Sequence, residues 1–182
     1  MIGMLFESTR MKLRKMTNED TELYHKWRND IEVIRSTYLS LDMYHMDETK
    51  EFVTRILESP TGKSYIMVEK ENETPIGIIS LVNIDYKNRN AECIIDIGEK
   101  EYWGKGYGSE GLKLLLDLAF YEMNLHRVAL KVFSFNDRAI RLYKKIGFQE
   151  EGISRQSLFR NGKWHDIIHM GILQDEYFEQ NQ

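Results

Sequence analysis

The sequence predicts a mixed α/β fold, a central, mostly antiparallel sheet flanked by helices. Three observations predict it. Strand-like segments at Ser64–Glu69, Ile76–Ile84 and Ala91–Ile97 follow one another with only short polar turns between them, the pattern of an antiparallel meander. They give way to an order of strand, glycine loop, helix, strand, helix and strand, which lays helices on the faces of the sheet. The 182 residues with a single cysteine suit one domain, 1–182, able to bury a core without a disulfide.

Each element has its own signal. Met11 to Met16 reads as a first strand, after which Thr17 and Asp20 have capping-box spacing at the start of a helix through Trp27 that fades near Asn29. Ile31 to Met46 has no clean period. A second helix is predicted from Asp47 to Glu58, with Phe52, Val53, Ile56 and Leu57 as its apolar stripe and Ser59-Pro60 ending it. After the meander, a glycine loop leads into a buried helix from Ser109 to Glu122, and Arg127–Phe133 forms a fifth strand. Asn136 or Asp137 caps a helix through Lys145, which Gly147 ends in the left-handed conformation. The last two strands are joined by Asn161-Gly162, a type I′ turn signal.

Composition excludes several functions. A formal net charge of −4 opposes a general nucleic-acid role, which needs a surplus of Lys and Arg on one face. Met1 to Arg14 alternates apolar and charged residues without a signal-peptide core, and no run approaches bilayer length, so a cytoplasmic protein without a membrane partner is expected. Cys93 alone cannot build a disulfide framework or a multi-cysteine metal site, and its apolar surroundings predict an ordinary buried thiol. His165 and His169, four apart on a strand, share a face but stand well separated, so no metal site is expected.

The run Trp103-Gly-Lys-Gly-Tyr-Gly-Ser-Glu110 carries most of the functional information. Three alternating glycines let the backbone close on a ligand. The helix that follows presents unpaired N–H groups and a positive dipole end, an anion site suited to phosphate or pyrophosphate. Gly106-x-Gly108-x-x-Gly111 also fits a dinucleotide fingerprint, but the ribose-binding acid expected about 20 positions on is replaced by His126, Arg127 and Lys131. A P-loop would need Lys and Ser/Thr after its last glycine, whereas Lys105 precedes Gly106.

The loop together with Asn136-Asp-Arg-Ala139-Ile-Arg-Leu-Tyr143-Lys-Lys-Ile-Gly147-Phe148 resembles the GNAT N-acetyltransferase superfamily. The resemblance runs from Lys12 to about Leu173. The stretch Gly152–Leu173 resembles the ribosomal-protein N-terminal and spermidine/spermine acetyltransferases within it. It implies an acetyl-CoA-dependent enzyme that acetylates a primary amine directly, through a tetrahedral intermediate and without a covalent acetyl-enzyme. The acceptor stays open between a polyamine, a peptide N-terminus and another small amine, because Arg35–Leu41 lacks the acidic patch of the polyamine enzymes. A non-catalytic acyl-CoA-binding module is the rival reading.

The resemblance assigns the pyrophosphate to the backbone of Lys105, Gly106, Tyr107, Gly108 and Ser109, and the pantetheine arm to backbone groups of Ile95 and Ile97 on a strand edge opened by a bulge. It makes Tyr143 the general acid for the departing thiolate, since a phenol with pKa near 10 stays protonated at neutral pH. Asn136 caps its helix and orients cofactor or water. Strand alternation sets Glu92, Ile94 and Asp96 on one face and Cys93, Ile95 and Ile97 on the other. Glu92 is the candidate base, or else holds the acceptor's ammonium or pairs with Arg89 or Arg127. The apolar stretch Ile167–Leu173 is compatible with a homodimer or with core.

Overall fold

The computed structural model describes residues 5–181, so the first four residues of the Met1–Arg14 segment lie outside the described residues. Among the described residues seven strands form one sheet in the order β1-β2-β3-β4-β5-β7-β6. They are β1 (Met11–Lys15), β2 (Lys63–Glu69), β3 (Thr74–Asp85), β4 (Asn90–Ile97), β5 (Arg127–Phe133), β6 (Gln149–Arg160) and β7 (Lys163–Leu173). Every neighbouring pair is antiparallel except β4 and β5. The helices are α1 (Thr21–Arg28), α2 (Ile31–Ile34), α3 (Met46–Glu58), α4 (Tyr107–Asp117), α5 (Asp137–Ile146) and α6 (Gln174–Gln180).

Local chemistry explains the boundaries. Before α1, the Asp20 carboxylate accepts from the Thr17 N–H at 2.9 Å, the reciprocal half of a capping box. Asn136 Oδ1 accepts from the Ala139 N–H at 3.2 Å and starts α5. Gly147, at φ 113°, ends that helix by donating its N–H to the Tyr143 and Lys144 carbonyls. Asn161 and Gly162 both take positive φ, as the β6–β7 turn requires.

Two elements differ from expectation. Ile31–Ile34 forms a single helical turn, capped by the Asp30 carboxylate, and is too short to show a period in sequence. The helix expected from Ser109 begins at Tyr107, and its last part, Leu118–Glu122, is a π-turn.

Packing divides the sheet. On one face Met67, Ile79, Cys93, Val128 and Met170 pack with Leu112 and Leu115 of α4 in the main core. On the other, Ile66, Val68 and Ile78 pack with Tyr24 and Trp27 of α1 and Val53 of α3. Met170 and Ile172 of the C-terminal strand are fully buried in the main core, so much of Ile167–Leu173 is core. No helix among the described residues is long and apolar enough to cross a membrane.

The parallel pair creates the site. β4 and β5 pair only at Asn90–Glu92 against Arg127–Ala129. Beyond that point β5 stays with β7 as far as Phe133 and β4 stays with β3 as far as Ile97. The two strands therefore part in a wedge, and the edge of Cys93–Ile97 that faces β5 has no strand partner among the described residues. The bulge expected along this edge is not there: the register shift of the β3–β4 pair lies between Val82 and Asp85. Divergence, not a bulge, opens the edge.

Candidate active site

A cavity of about 580 Å³ occupies the end of the wedge, where β4, the glycine loop, α5 and the segment after α2 meet. Ile95 and Ile97 line it from β4, Gly106, Tyr107, Gly108 and Ser109 from the loop and the start of α4, and Asn136 and Tyr143 from α5. Sequence positions separated by almost fifty residues are thus brought to one wall.

The glycine loop is shaped by backbone conformation. Gly104 and Gly106 have φ of 73° and 88°, a region that costs other residues roughly 1–2 kcal/mol. Arg10 braces the loop: its Nη2 donates to the Lys105 carbonyl at 3.0 Å and its guanidinium lies 4.4 Å from the centre of the Tyr107 ring. Glu110, in the first turn of α4, is held by Arg10 and by the Ser8 hydroxyl at 2.8 Å. The Lys105 side chain does not line the cavity and lies 5.7 Å from the Tyr102 ring centre. The Ile97 carbonyl is occupied, accepting from the Trp103 indole at 2.8 Å.

Tyr143 is half-buried in the cavity wall, with its ring edge-on to Phe148. Burial pushes its phenol upward, and Cys93 and Asp96 push it further, so it carries its proton throughout the neutral range. Cys93 faces the core as alternation predicts, and burial pushes its thiol up to about 12. It is not a thiolate at neutral pH.

Glu92 does not line the cavity. It pairs with Lys131 of β5 at 3.5 Å, while Arg127 pairs with Glu151 instead. The carboxylate on the same face that does reach the cavity is Asp96, four residues or about 13 Å further along the strand. Burial lifts Asp96 to about 6, with the Thr37 hydroxyl pulling it back down. The alternation that singles out Glu92 selects Asp96 equally well; only the point where β4 leaves β5 separates them.

The segment after α2 that lines the cavity at Arg35–Thr37 is held by Arg160. This buried guanidinium donates to the Tyr38 carbonyl at 2.6 Å and also to the carbonyls of Arg35 and Leu39. Tyr38 in turn shares a 2.7 Å hydroxyl contact with Tyr24 of α1. No residue pattern marks this latch in the sequence, because its acceptors are backbone carbonyls about 120 positions away.

A positive-φ glycine loop at a helix N-terminus and an unpaired strand edge, both opening on one cavity, fit a ligand that is anionic at one end and peptide-like along its length. Residues 10–149 match the model of the acetyltransferase (GNAT) domain family. The chain belongs to the GNAT family. This acetyltransferase is 31% identical over 173 residues to the spermidine N(1)-acetyltransferase of Escherichia coli K12, covering 94% of this chain and 90% of that one. Its fold superposes on the crystal structure of spermidine N-acetyltransferase from Vibrio cholerae in complex with CoA and spermine, with a TM-score of 0.86 at 28% identity, over 94% of this chain and 99% of that one. A dodecameric structure of the same Vibrio cholerae enzyme matches with a TM-score of 0.82 at 28% identity, over 96% and 100% of the two chains. The protein is an acetyl-CoA-dependent N-acetyltransferase with the expected mixed sheet flanked by helices.

Proposed function

We propose that this acetyltransferase moves an acetyl group to a primary amine of a polyamine, with Tyr143 as general acid. The observation that carries the reading is the meeting of three parts in one cavity: the glycine loop, the unpaired edge of β4 and the phenol of Tyr143. Backbone amides from Gly106 to Ser109 hold the pyrophosphate, aided by the positive end of the α4 dipole. The open edge around Ile95 and Ile97 pairs with the amide-bearing arm, as an added strand would. The bound thioester supplies the activated acetyl group. Tyr143, protonated at neutral pH, gives its proton to the sulfur as the C–S bond breaks. Asn136 caps α5 and so fixes the helix that carries Tyr143.

The polyamine rests on what the relatives are named for. A second reading, a peptide N-terminus or other amine with an apolar body, rests on this chain: Arg35–Leu41 has no acid, and Leu39, Leu41 and Met43 expose apolar side chains beside the acceptor wall. The assembly of the Vibrio cholerae enzyme supports a homo-oligomer here too.

A panel of spermidine, a short peptide with a free N-terminus and an apolar monoamine, read by release of the CoA thiol, tests the reading. Fastest release is expected with spermidine. A faster peptide or monoamine gives the acceptor to the second reading, and no release above the amine-free rate overturns the function.

A further inference from the structure

We propose that Asp96, rather than Glu92, receives the acceptor's ammonium group and takes its proton. The inference rests on the amine-acetylation reading above. Two carboxylates line the cavity among the described residues, Glu32 and Asp96. Glu32 is held by Lys100 at 2.8 Å, whereas no ion pair among the described residues involves Asp96. Its surroundings explain why it stays uncompensated. On β3 the residue opposite is Ile78. Tyr24 and Arg28 come from α1, and Glu32, Arg35, Thr37 and Tyr38 from α2 and the segment after it. Tyr143, Arg138 and Lys145 come from α5. The two buried arginines are engaged elsewhere: Arg28 stacks 3.6 Å from the Tyr44 ring centre, and Arg160 binds backbone carbonyls. The Thr37 hydroxyl is near enough to favour the ionised carboxylate.

An unpaired carboxylate in a cavity that also holds a phenolic acid is complementary to one cation placed between them. The raised pKa makes Asp96 a stronger base than an exposed aspartate. In the step, one N–H proton of the ammonium passes to the Asp96 carboxylate, and the freed lone pair forms the N–C bond with the thioester carbonyl. The C–S bond then breaks, its electron pair leaves on sulfur, and the Tyr143 proton neutralises the thiolate. The second N–H proton restores the phenol, and Asp96 releases the first to solvent. The products are the amide, the free thiol and one proton.

The test is the pH profile of kcat/KM for Asp96→Asn and Thr37→Val in the full chain, with acetyl-CoA affinity measured by calorimetry. Wild type is expected to lose activity as pH falls through about 6. Asp96→Asn should lower kcat/KM at least tenfold and abolish that acid limb while binding acetyl-CoA as wild type does, with partial recovery in Asp96→Glu. Thr37→Val removes the hydroxyl that favours the ionised form, so the limb should move to higher pH. A limb that vanishes in Glu92→Gln and persists in Asp96→Asn overturns the proposal, as does wild-type kcat/KM in Asp96→Asn. A wild type that acetylates no amine fails the functional reading instead, before any variant is compared.

Discussion

Arg160 of β6 donates to the Tyr38 carbonyl at 2.6 Å, joining the β6–β7 hairpin to the segment after α2 that lines the cavity. The guanidinium is 5% exposed and its neighbours are carbonyls and the Phe133 ring, so burial holds its pKa below the usual arginine value. Such a residue organises a segment that has little regular structure of its own.

Arg160→Ala should therefore loosen Arg35–Leu39. Charged hydrogen bonds of this kind contribute roughly 1.5–3 kcal/mol. A drop in unfolding free energy of about that size is expected, with KM for the amine raised at least fivefold and acetyl-CoA affinity little changed. Urea denaturation and two-substrate kinetics check both parts. An unchanged amine KM would separate the latch from the acceptor site.

Tyr143→Phe keeps the ring that packs on Phe148 and removes only the hydroxyl. General acids supply about 100- to 10,000-fold, so turnover should fall at least tenfold while calorimetry finds acetyl-CoA binding intact. Equal turnover would remove Tyr143 from the acid role.

Gly108 sits where α4, α5 and β4 converge. A Cβ there would lie 3.4 Å from Leu142 Cδ2 and 3.9 Å from Ile95 Cδ1, so the two further methyls of valine would intrude on the cavity. Gly108→Val should fold, as judged by circular dichroism and thermal melting, yet lose at least tenfold in acetyl-CoA affinity. Retained affinity would show that the pyrophosphate is held elsewhere.

Asp96 also predicts a cost to stability. Its carboxyl is raised in the folded chain to about 6, above an unfolded value near 3.9, so the folded state binds the extra proton between those limits. Stability from this group is full below the unfolded pKa and is lost as pH rises through 6. The difference between the folded and unfolded values corresponds to on the order of 2–3 kcal/mol. Asp96→Asn should therefore be more stable than wild type at pH 7.5 by about that amount, and equally stable near pH 4. Denaturation midpoints at the two pH values measure it; a variant less stable at pH 7.5 would contradict the uncompensated charge.

Much of the glycine loop, β4 and α5 was legible because their signals are local. Gly104 and Gly106 take the positive φ that alternating glycines imply, Asn136 caps its helix through its own side chain, and Gly147 stops α5 as its position predicts. Alternation along β4 placed Cys93, Ile95 and Ile97 together against the core. The α2 region and the segment after it were not legible, because their parts lack period and depend on distant partners. The turn at Ile31–Ile34 is too short for a repeat, and Arg160 meets backbone atoms that no sequence pattern records.

The sequence by itself determined the elements, the faces of β4 and the glycine loop, since each follows from dihedral preferences and spacing within a few residues. Tertiary structure alone decided where β4 leaves β5, that divergence rather than a bulge opens the strand edge, and that Asp96 and not Glu92 reaches the cavity. The physical reason is that both carboxylates obey the same two-residue alternation. Their environments diverge because β5 remains hydrogen-bonded to β7 while β4 continues with β3, leaving one carboxylate paired with Lys131 and the other with no ion pair among the described residues.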